Sequence, residues 1–370
     1  MTDPETDARF MAAAIALARR GLGLCTPNPA VGALIVNNGV IAGRGWTKPG
    51  GRPHAETEAL REAGEHSRGA TLYVTLEPCS HHGLTPPCAE AIVKAGVARI
   101  VSAIGDPDPR VAGRGYRLLK DAGVDVVADV CAEAALRANL GHVLRVTERR
   151  PMVALKLALT ADGFAAGSSG EPRLAITGAL ANSYVHLLRS MHDAILIGSG
   201  TALADDPRLN VRLPGLETRK PLRVALDSDL KLSPDSRFAK AAAVYPTLVV
   251  AGEGAPEANE RRLRAAGVAT ARVRRDATGR VDLGAALELL AARGITRVFC
   301  EGGPILANAL IARGLADEII LLTSAKFLAR QARAGLSAES RNALADPSRY
   351  RSVEQRVVGE DRLSRSERVL

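Results

Sequence analysis

The sequence predicts an α/β protein of two domains, and three observations carry that expectation. Strand-like and helix-like segments alternate through both halves of the chain, the pattern of an α/β layer with parallel strands. The 370 residues exceed what one core usually serves. A break falls at Val146–Arg150, where charged residues precede Pro151, so the domains are expected at 1–148 and 149–370.

In the first half, residues 7–22 read as an amphipathic helix with Phe10, Ile15 and Leu17, ended by Gly21 and Gly23. Two prolines stiffen Thr26-Pro27-Asn28-Pro29. A strand at 31–36 returns at 40–46 through the Asn37-Asn38-Gly39 turn. His54–Ala63 reads as a helix closed by Gly64, and 71–76 as a buried strand with Cys79 soon after it. Pro87 then opens a helix at Cys88, where the helix dipole favours a thiolate. Strand 98–104, helix 113–122, strand 124–128 and helix 131–145 complete a βαβα series.

The second half restarts with strand 152–160 and an Asp162-Gly163 turn, followed by a flexible loop at Gly167–Gly170 and a helix at 179–190. Strand 194–197 runs into Gly198-Ser199-Gly200-Thr201. Strands follow at 221–227 and 247–251. Residues 255–280 are charged and weakly patterned, and are expected to hold a helix and a surface loop. Helix 282–292, strand 297–300, the Glu301-Gly302-Gly303-Pro304 turn, helix 305–312 and strand 317–323 come next. A hairpin over 350–369 turns at Gly359-Glu360-Asp361.

The composition narrows the function. Charged residues make up 24% and no apolar run is long enough to span a bilayer. Five cysteines without framework spacing, behind an acidic N-terminus, suit a cytoplasmic chain. The net charge of +9 calls for an anionic ligand, but the basic residues are dispersed and aromatics are only 3%. A platform for single-stranded nucleic acid needs more rings. A phosphorylated small molecule fits better, with no nucleic-acid and no membrane partner.

The chemistry-bearing stretch is His54-Ala55-Glu56 with Glu77-Pro78-Cys79 and, nine residues on, Cys88. One imidazole and two thiolates suit tetrahedral zinc and leave a fourth position for water. Glu56 is placed to move protons, as in the H-x-E … P-C-x-x-C pattern of zinc deaminases. Here eight residues separate the cysteines instead of two. The competing reading is a closed structural site in which His81 or His82 supplies a fourth ligand. Asn28 is either a turn asparagine or a group that holds a ring by its amide edge. His81, His82 and Thr85 either contact a polar substituent or are solvated loop residues. The Gly-Gly-Pro turn at 302–304 and the Gly198–Thr201 turn are each either phosphate-binding or ordinary strand–helix connections.

Taken together, Thr26-Pro-Asn-Pro-x-Val-Gly32, His54-Ala-Glu56, Glu77-Pro-Cys-x-His-x-Gly-x-Thr-Pro-Pro-Cys88, Leu203-Ala-Asp-Asp-Pro207 and Glu301-Gly-Gly-Pro304 resemble the bifunctional riboflavin-biosynthesis deaminase/reductase over about residues 8–325. The resemblance implies a cytidine-deaminase-like three-layer α/β domain followed by a dihydrofolate-reductase-like α/β domain. It implies zinc-dependent deamination of a diamino-phosphoribosylamino-pyrimidine, then NADPH-dependent reduction of its ribosyl group to a ribityl chain, in a homo-oligomer. By resemblance, zinc ligands fall on His54, Cys79 and Cys88 and the proton shuttle on Glu56. NADPH contacts fall on Ala158, Thr201, Asp205, Ser228 and the segment Gly303, Pro304, Ile305, Leu306, Ala307, Asn308, Ala309. Substrate contacts fall on Arg189, Leu209, Arg212 and Glu301, with Asn28 and Lys156 as further candidates. Lys156 is otherwise a solvent-facing strand lysine. The two arginines suit a ribose phosphate, since a guanidinium binds phosphate bidentately.

The chain departs from that family twice. Glu171-Pro-Arg-Leu-Ala-Ile-Thr-Gly178 lacks a tryptophan that many members carry before the Ile-Thr-Gly. Thr323-Ser-Ala-Lys-Phe-Leu-Ala329 replaces a proline-lysine and a glycine. Two other functions compete: a nucleoside or RNA-base deaminase whose second half only binds, and a zinc-stabilised binding protein without catalysis.

Overall fold

In the computed structural model, which describes residues 3–83, 86–167, 174–330 and 332–370, Asn38 and Gly39 both take positive φ. That turn folds Gly32–Asn37 back on Val40–Trp46 as an antiparallel hairpin. The chain divides into two units, Met1–Arg150 and Pro151–Leu370.

In the first unit five strands run in the order Val40–Trp46, Gly32–Asn37, Thr71–Val74, Arg99–Ser102, Asp125–Val127. The last three are parallel. Helices Pro4–Ala18 and Ala55–Ala63 lie on opposite faces, because successive strand residues point to opposite sides. Gly32 abuts the first helix: a Cβ there would stand 2.0 Å from the Ala14 carbonyl oxygen. Gly43 and Gly45, whose partners are Ile35 and Ala33, abut the second, at 2.2 Å from Ala59 O and 1.9 Å from Ala55 O. Buried Asp7 ties the first helix down, accepting from the Tyr73 hydroxyl at 2.8 Å and from the Arg99 fork.

The second unit holds nine strands in the order Ala269–Val273, Thr247–Gly252, Leu222–Leu226, Ala194–Gly198, Arg297–Cys300, Met152–Leu159, Glu318–Thr323, Asp361–Arg368, Tyr350–Val358. The first seven are parallel, and the C-terminal hairpin adds two antiparallel strands. The central strands are buried along most of their length, as expected for a parallel sheet covered on both sides.

Three parts of this unit differ from the sequence expectation. Residues 255–280 contain helix Glu257–Ala265 and then an edge strand, Ala269–Val273, where a surface loop was expected. Gly198–Thr201 is a strand–helix connection, one of its two readings, but the short helix it opens, Ser199–Asp205, was not expected. Helix Ala338–Ala345 and the pairing of Phe164–Ala166 with Arg333–Ala334 were not anticipated. The segment after Thr323 is anchored by Asp162, whose carboxylate accepts from the Leu328 and Ala329 amides at 3.0 and 3.1 Å. The hairpin beyond it still completes the sheet. Thr85, most of the Gly167–Gly170 loop and Glu171–Arg173 lie outside the described residues. Among the described residues no helix is long and apolar enough to cross a membrane.

Candidate active sites

His54 stands outside its helix, as the extended N-cap (φ −69°, ψ 160°) of Ala55–Ala63. Glu56, the second residue of that helix, is buried, and both side chains line the same cavity. Cys79 follows strand Thr71–Val74 after a bend at Thr75 and Leu76, and Cys88 is the first residue of helix Cys88–Lys94. His54 Nδ1 lies 3.3 Å from Cys88 Sγ and 3.7 Å from Cys79 Sγ, and the three donor atoms all fall within 4.8 Å of one another. The edges of a tetrahedron with metal–ligand bonds of about 2.0–2.3 Å are about 3.3–3.8 Å long. The donor set and its spacing therefore fit zinc, with Nδ1 as the imidazole donor. Among the described residues neither His81 nor His82 joins the cluster, so three protein ligands leave a position open.

The two thiols of the cluster shift in opposite directions. The Cys88 thiol, above all, lowers Cys79 to about 4, with help from His54, while Cys88 itself is pushed well up by Cys79 and by burial. The Cys88 amide donates to Cys79 Sγ at 3.3 Å. Burial raises the Glu56 carboxyl above its ordinary value, against an opposing pull from His54. Asn28 reaches this site from the stiff loop. Its Nδ2 donates to Gly51 O at 2.8 Å and stands 3.2 Å from His54 Nε2. Gly51 has φ 84°, and a Cβ on it would strike the Asn28 side chain at 2.7 Å. Asn28, His54, Glu56, Cys79 and His81 all line one cavity of about 270 Å³.

Several polar groups in that cavity carried no sequence signal: Arg52, Asp106, Asp108, Arg110, His142 and Arg145. Glu77 positions part of this wall. Its buried carboxylate accepts from the amides of Gly113 at 3.0 Å and Gly115 at 2.9 Å, and more loosely from Asp106 and Tyr116. It thus caps helix Arg114–Asp121 with a charge at the favoured end.

The second unit holds a larger cavity, of about 540 Å³. Lys156 and Ala158 line it from their strand, and Thr201, Asp205 and Leu209 from the segment after Ala194–Gly198. Arg189, Glu301, Gly303 and Pro304 complete the predicted set there. Arg189 grips Glu301 through Nε at 2.5 Å and Nη2 at 3.0 Å, and donates from Nη1 to Asn210 O at 2.9 Å. Burial opposes the Glu301 charge, but Arg189, Lys156 and His186 hold its carboxyl below the usual range. Thr201 Oγ1 accepts from the Gly303 amide at 2.9 Å, joining the two glycine-bearing turns. Among the described residues no aromatic side chain lines the cavity, and Leu174–Thr177 stand where the sequence departs from the tryptophan pattern.

Other predicted residues lie away from this lining. The Ser228 hydroxyl accepts from the Val281 amide at 2.9 Å. Leu306 and Ala307 are core residues with Ala309 packed beside them, whereas Ile305 is exposed. Asn308 bonds Pro304 O, Gly335 O and the Ser337 amide. Arg212 is exposed; its guanidinium donates to Asn210 Oδ1 at 2.6 Å and its amide to His186 Nδ1 at 3.2 Å.

Comparison with known proteins follows the same division. Residues 4–104 match the cytidine and deoxycytidylate deaminase zinc-binding region, and residues 151–361 match the RibD C-terminal domain. The chain belongs to the RibD family. The riboflavin biosynthesis protein RibD of Escherichia coli K12 is 39% identical over 96% of this chain and 97% of its own length. That of Bacillus amyloliquefaciens is 38% identical over 84% and 82%. The solved structure of Acinetobacter baumannii RibD has 35% identity and a TM-score of 0.87, with both chains fully covered. A Thermotoga maritima structure, described as a diaminohydroxyphosphoribosylaminopyrimidine deaminase/5-amino-6-(5-phosphoribosylamino)uracil reductase, has 32% identity and a TM-score of 0.83 over 99% of each chain. As a RibD protein the chain is a bifunctional deaminase and reductase of riboflavin biosynthesis, with zinc in a cytidine-deaminase-like domain and NADPH used by a dihydrofolate-reductase-like one.

Proposed function

We propose that the chain deaminates 2,5-diamino-6-(5-phosphoribosylamino)pyrimidin-4-one to the amino-uracil and then reduces the ribosyl group to ribityl phosphate. The carrying observation is the buried Glu56 carboxyl beside a three-donor cluster with an open position. Held by His54, Cys79 and Cys88, zinc supplies Lewis acidity that brings the pKa of water towards neutrality. Glu56, its own carboxyl raised by burial, takes the water proton and returns it to the departing amine. Asn28, fixed by Gly51 O, holds the ring by its amide edge.

In the reductase cavity NADPH supplies the hydride, and the protein's part is to position the sugar. Glu301, ionised and braced by Arg189, accepts from sugar hydroxyls, and Lys156 balances its charge. Arg212, exposed and supported by Asn210, takes the phosphate, with Leu209 against the pyrimidine. Of the residues expected to hold the cofactor, Ala158, Thr201, Asp205, Gly303 and Pro304 line the cavity and form its cofactor side, while Ser228 and residues 305–309 lie outside that lining. Deamination belongs to 1–148 and reduction to 149–370. Among the described residues no disulfide joins the cysteines, which supports a reducing, cytoplasmic setting. A homo-oligomer is the proposed assembly, to be read by light scattering.

The test is a coupled assay on the zinc-loaded full chain with the pyrimidine phosphate and NADPH. Ammonia released and NADPH consumed in equal amounts are expected. Ammonia from cytidine or an RNA oligomer, with none from the pyrimidine phosphate, would sink the reading.

A further inference from the structure

In the deaminase cavity, Asp106 has one oxygen fully committed and the other left over. Its Oδ1 faces His142 Nε2 at 3.0 Å and accepts from the Asp108 amide at 2.9 Å. Oδ2 makes no hydrogen bond among the described residues, and Asp106, with Arg110 as a neighbouring charge, lines the cavity that also holds His54, Glu56 and Cys79. His142, on helix Ala132–Thr147, is 8% exposed. Its Nδ1 is buried without a hydrogen-bond partner. A ring that forgoes one bond in the interior is held there by the bond it does make, and that bond fixes the Asp106 carboxylate plane.

Asp106 also sits midway in a chain of contacts. Its amide donates to Glu77, two residues before Cys79, while the Asp108 carboxylate grips Arg110 through Nε at 3.0 Å and Nη2 at 2.6 Å. One end of this chain thus reaches the metal-binding strand end and the other an arginine-bearing rim. A free carboxylate oxygen repels phosphate and binds a neutral donor. Between a ring that must meet Glu56 and a phosphate drawn to arginines, the neutral donors are sugar hydroxyls.

We infer that Asp106 Oδ2 reads a hydroxyl of the substrate's sugar in the deaminase cavity, and that His142 is the positioning residue that aims it. The inference rests on the deaminase reading above and deepens it: the cavity selects a glycosylated pyrimidine over the bare base.

The test uses the zinc-loaded full chain and its Asp106→Asn, His142→Ala and His142→Gln variants, with zinc content measured for each. KM and kcat for ammonia release are read on the phosphoribosylamino-pyrimidine. The same pyrimidine with a plain amino group in place of the sugar is read as a competitive inhibitor. Asp106→Asn, which replaces the acceptor by a donor, is expected to raise KM roughly tenfold, the worth of one hydrogen bond, with kcat nearly kept. The inhibition constant of the sugar-free base is expected to stay unchanged. His142→Ala is expected to follow Asp106→Asn, and His142→Gln, whose Nε2 can donate to Oδ1, to recover most of the loss. Equal weakening of both ligands, or a glutamine no better than alanine, would overturn the inference. No ammonia from the unaltered chain would instead remove the deaminase reading itself.

Discussion

The Glu77 carboxylate accepts the Gly115 amide at 2.9 Å, and Gly115 in turn lies so close to the Pro78 carbonyl oxygen that a Cβ would stand 2.1 Å from it. One side chain thereby joins the strand end that carries Cys79 to the loop that carries Asp106. Glu77→Ala leaves several loop amides without an acceptor and is expected to destabilise the first unit by about 2–4 kcal/mol. Urea unfolding of the variant, followed by zinc content, measures this; unchanged stability would remove Glu77 from the account.

Glu56→Gln keeps the shape of a group buried beside the cluster but cannot carry a proton. Zinc content is expected to persist, ammonia release to fall by roughly 10²–10⁴, and NADPH oxidation on the already deaminated substrate to continue. Loss of both activities with the fold intact would contradict independent sites.

Arg189 is the main counter-charge of Glu301, and both side chains are 11% exposed. Removing one member of a buried pair strands the other, at a cost of about 3–5 kcal/mol. Arg189→Ala should therefore destabilise the second unit and abolish reduction while ammonia release persists. The Arg189→Met, Glu301→Leu double variant should be more stable than Arg189→Ala alone, which thermal unfolding can check.

His192 is wholly buried against Phe299, and burial, reinforced by Arg297, depresses its pKa from 6.5 to about 3. The unfolded chain takes up a proton near 6.5 that the folded chain refuses until about 3, so stability present at neutral pH is lost as pH falls through that window. The loss from this residue reaches about 2 kcal/mol near pH 5. His192→Leu is expected to flatten the acid limb of the stability profile; an unaltered slope would refute the assignment.

The clustering of His54, Cys79 and Cys88 was legible because ligand chemistry restricts residue type and spacing within a short stretch. The same held for strands such as Met152–Leu159, whose apolar run reports burial on both faces. Edge strand Ala269–Val273 was missed because it borders a single neighbour and carries Arg272, so it lacks that run. Helix Ser199–Asp205 was hidden by two glycines in its surroundings. The partners of Glu77 lie 29 to 39 residues downstream and Glu301 lies 112 from Arg189. No local period encodes such pairs; only the assembled fold brings them together.

Gly43 and Gly45 leave the helix behind His54 resting on bare backbone. Side chains rotate between wells, and a spacing set by them can breathe. A spacing set by carbonyl against Cα has no such freedom. Glu56, the proposed proton carrier, is therefore mounted on a part of the domain that warming loosens late, and substitutions elsewhere in the core can alter volume and packing without changing how far Glu56 stands from the cluster.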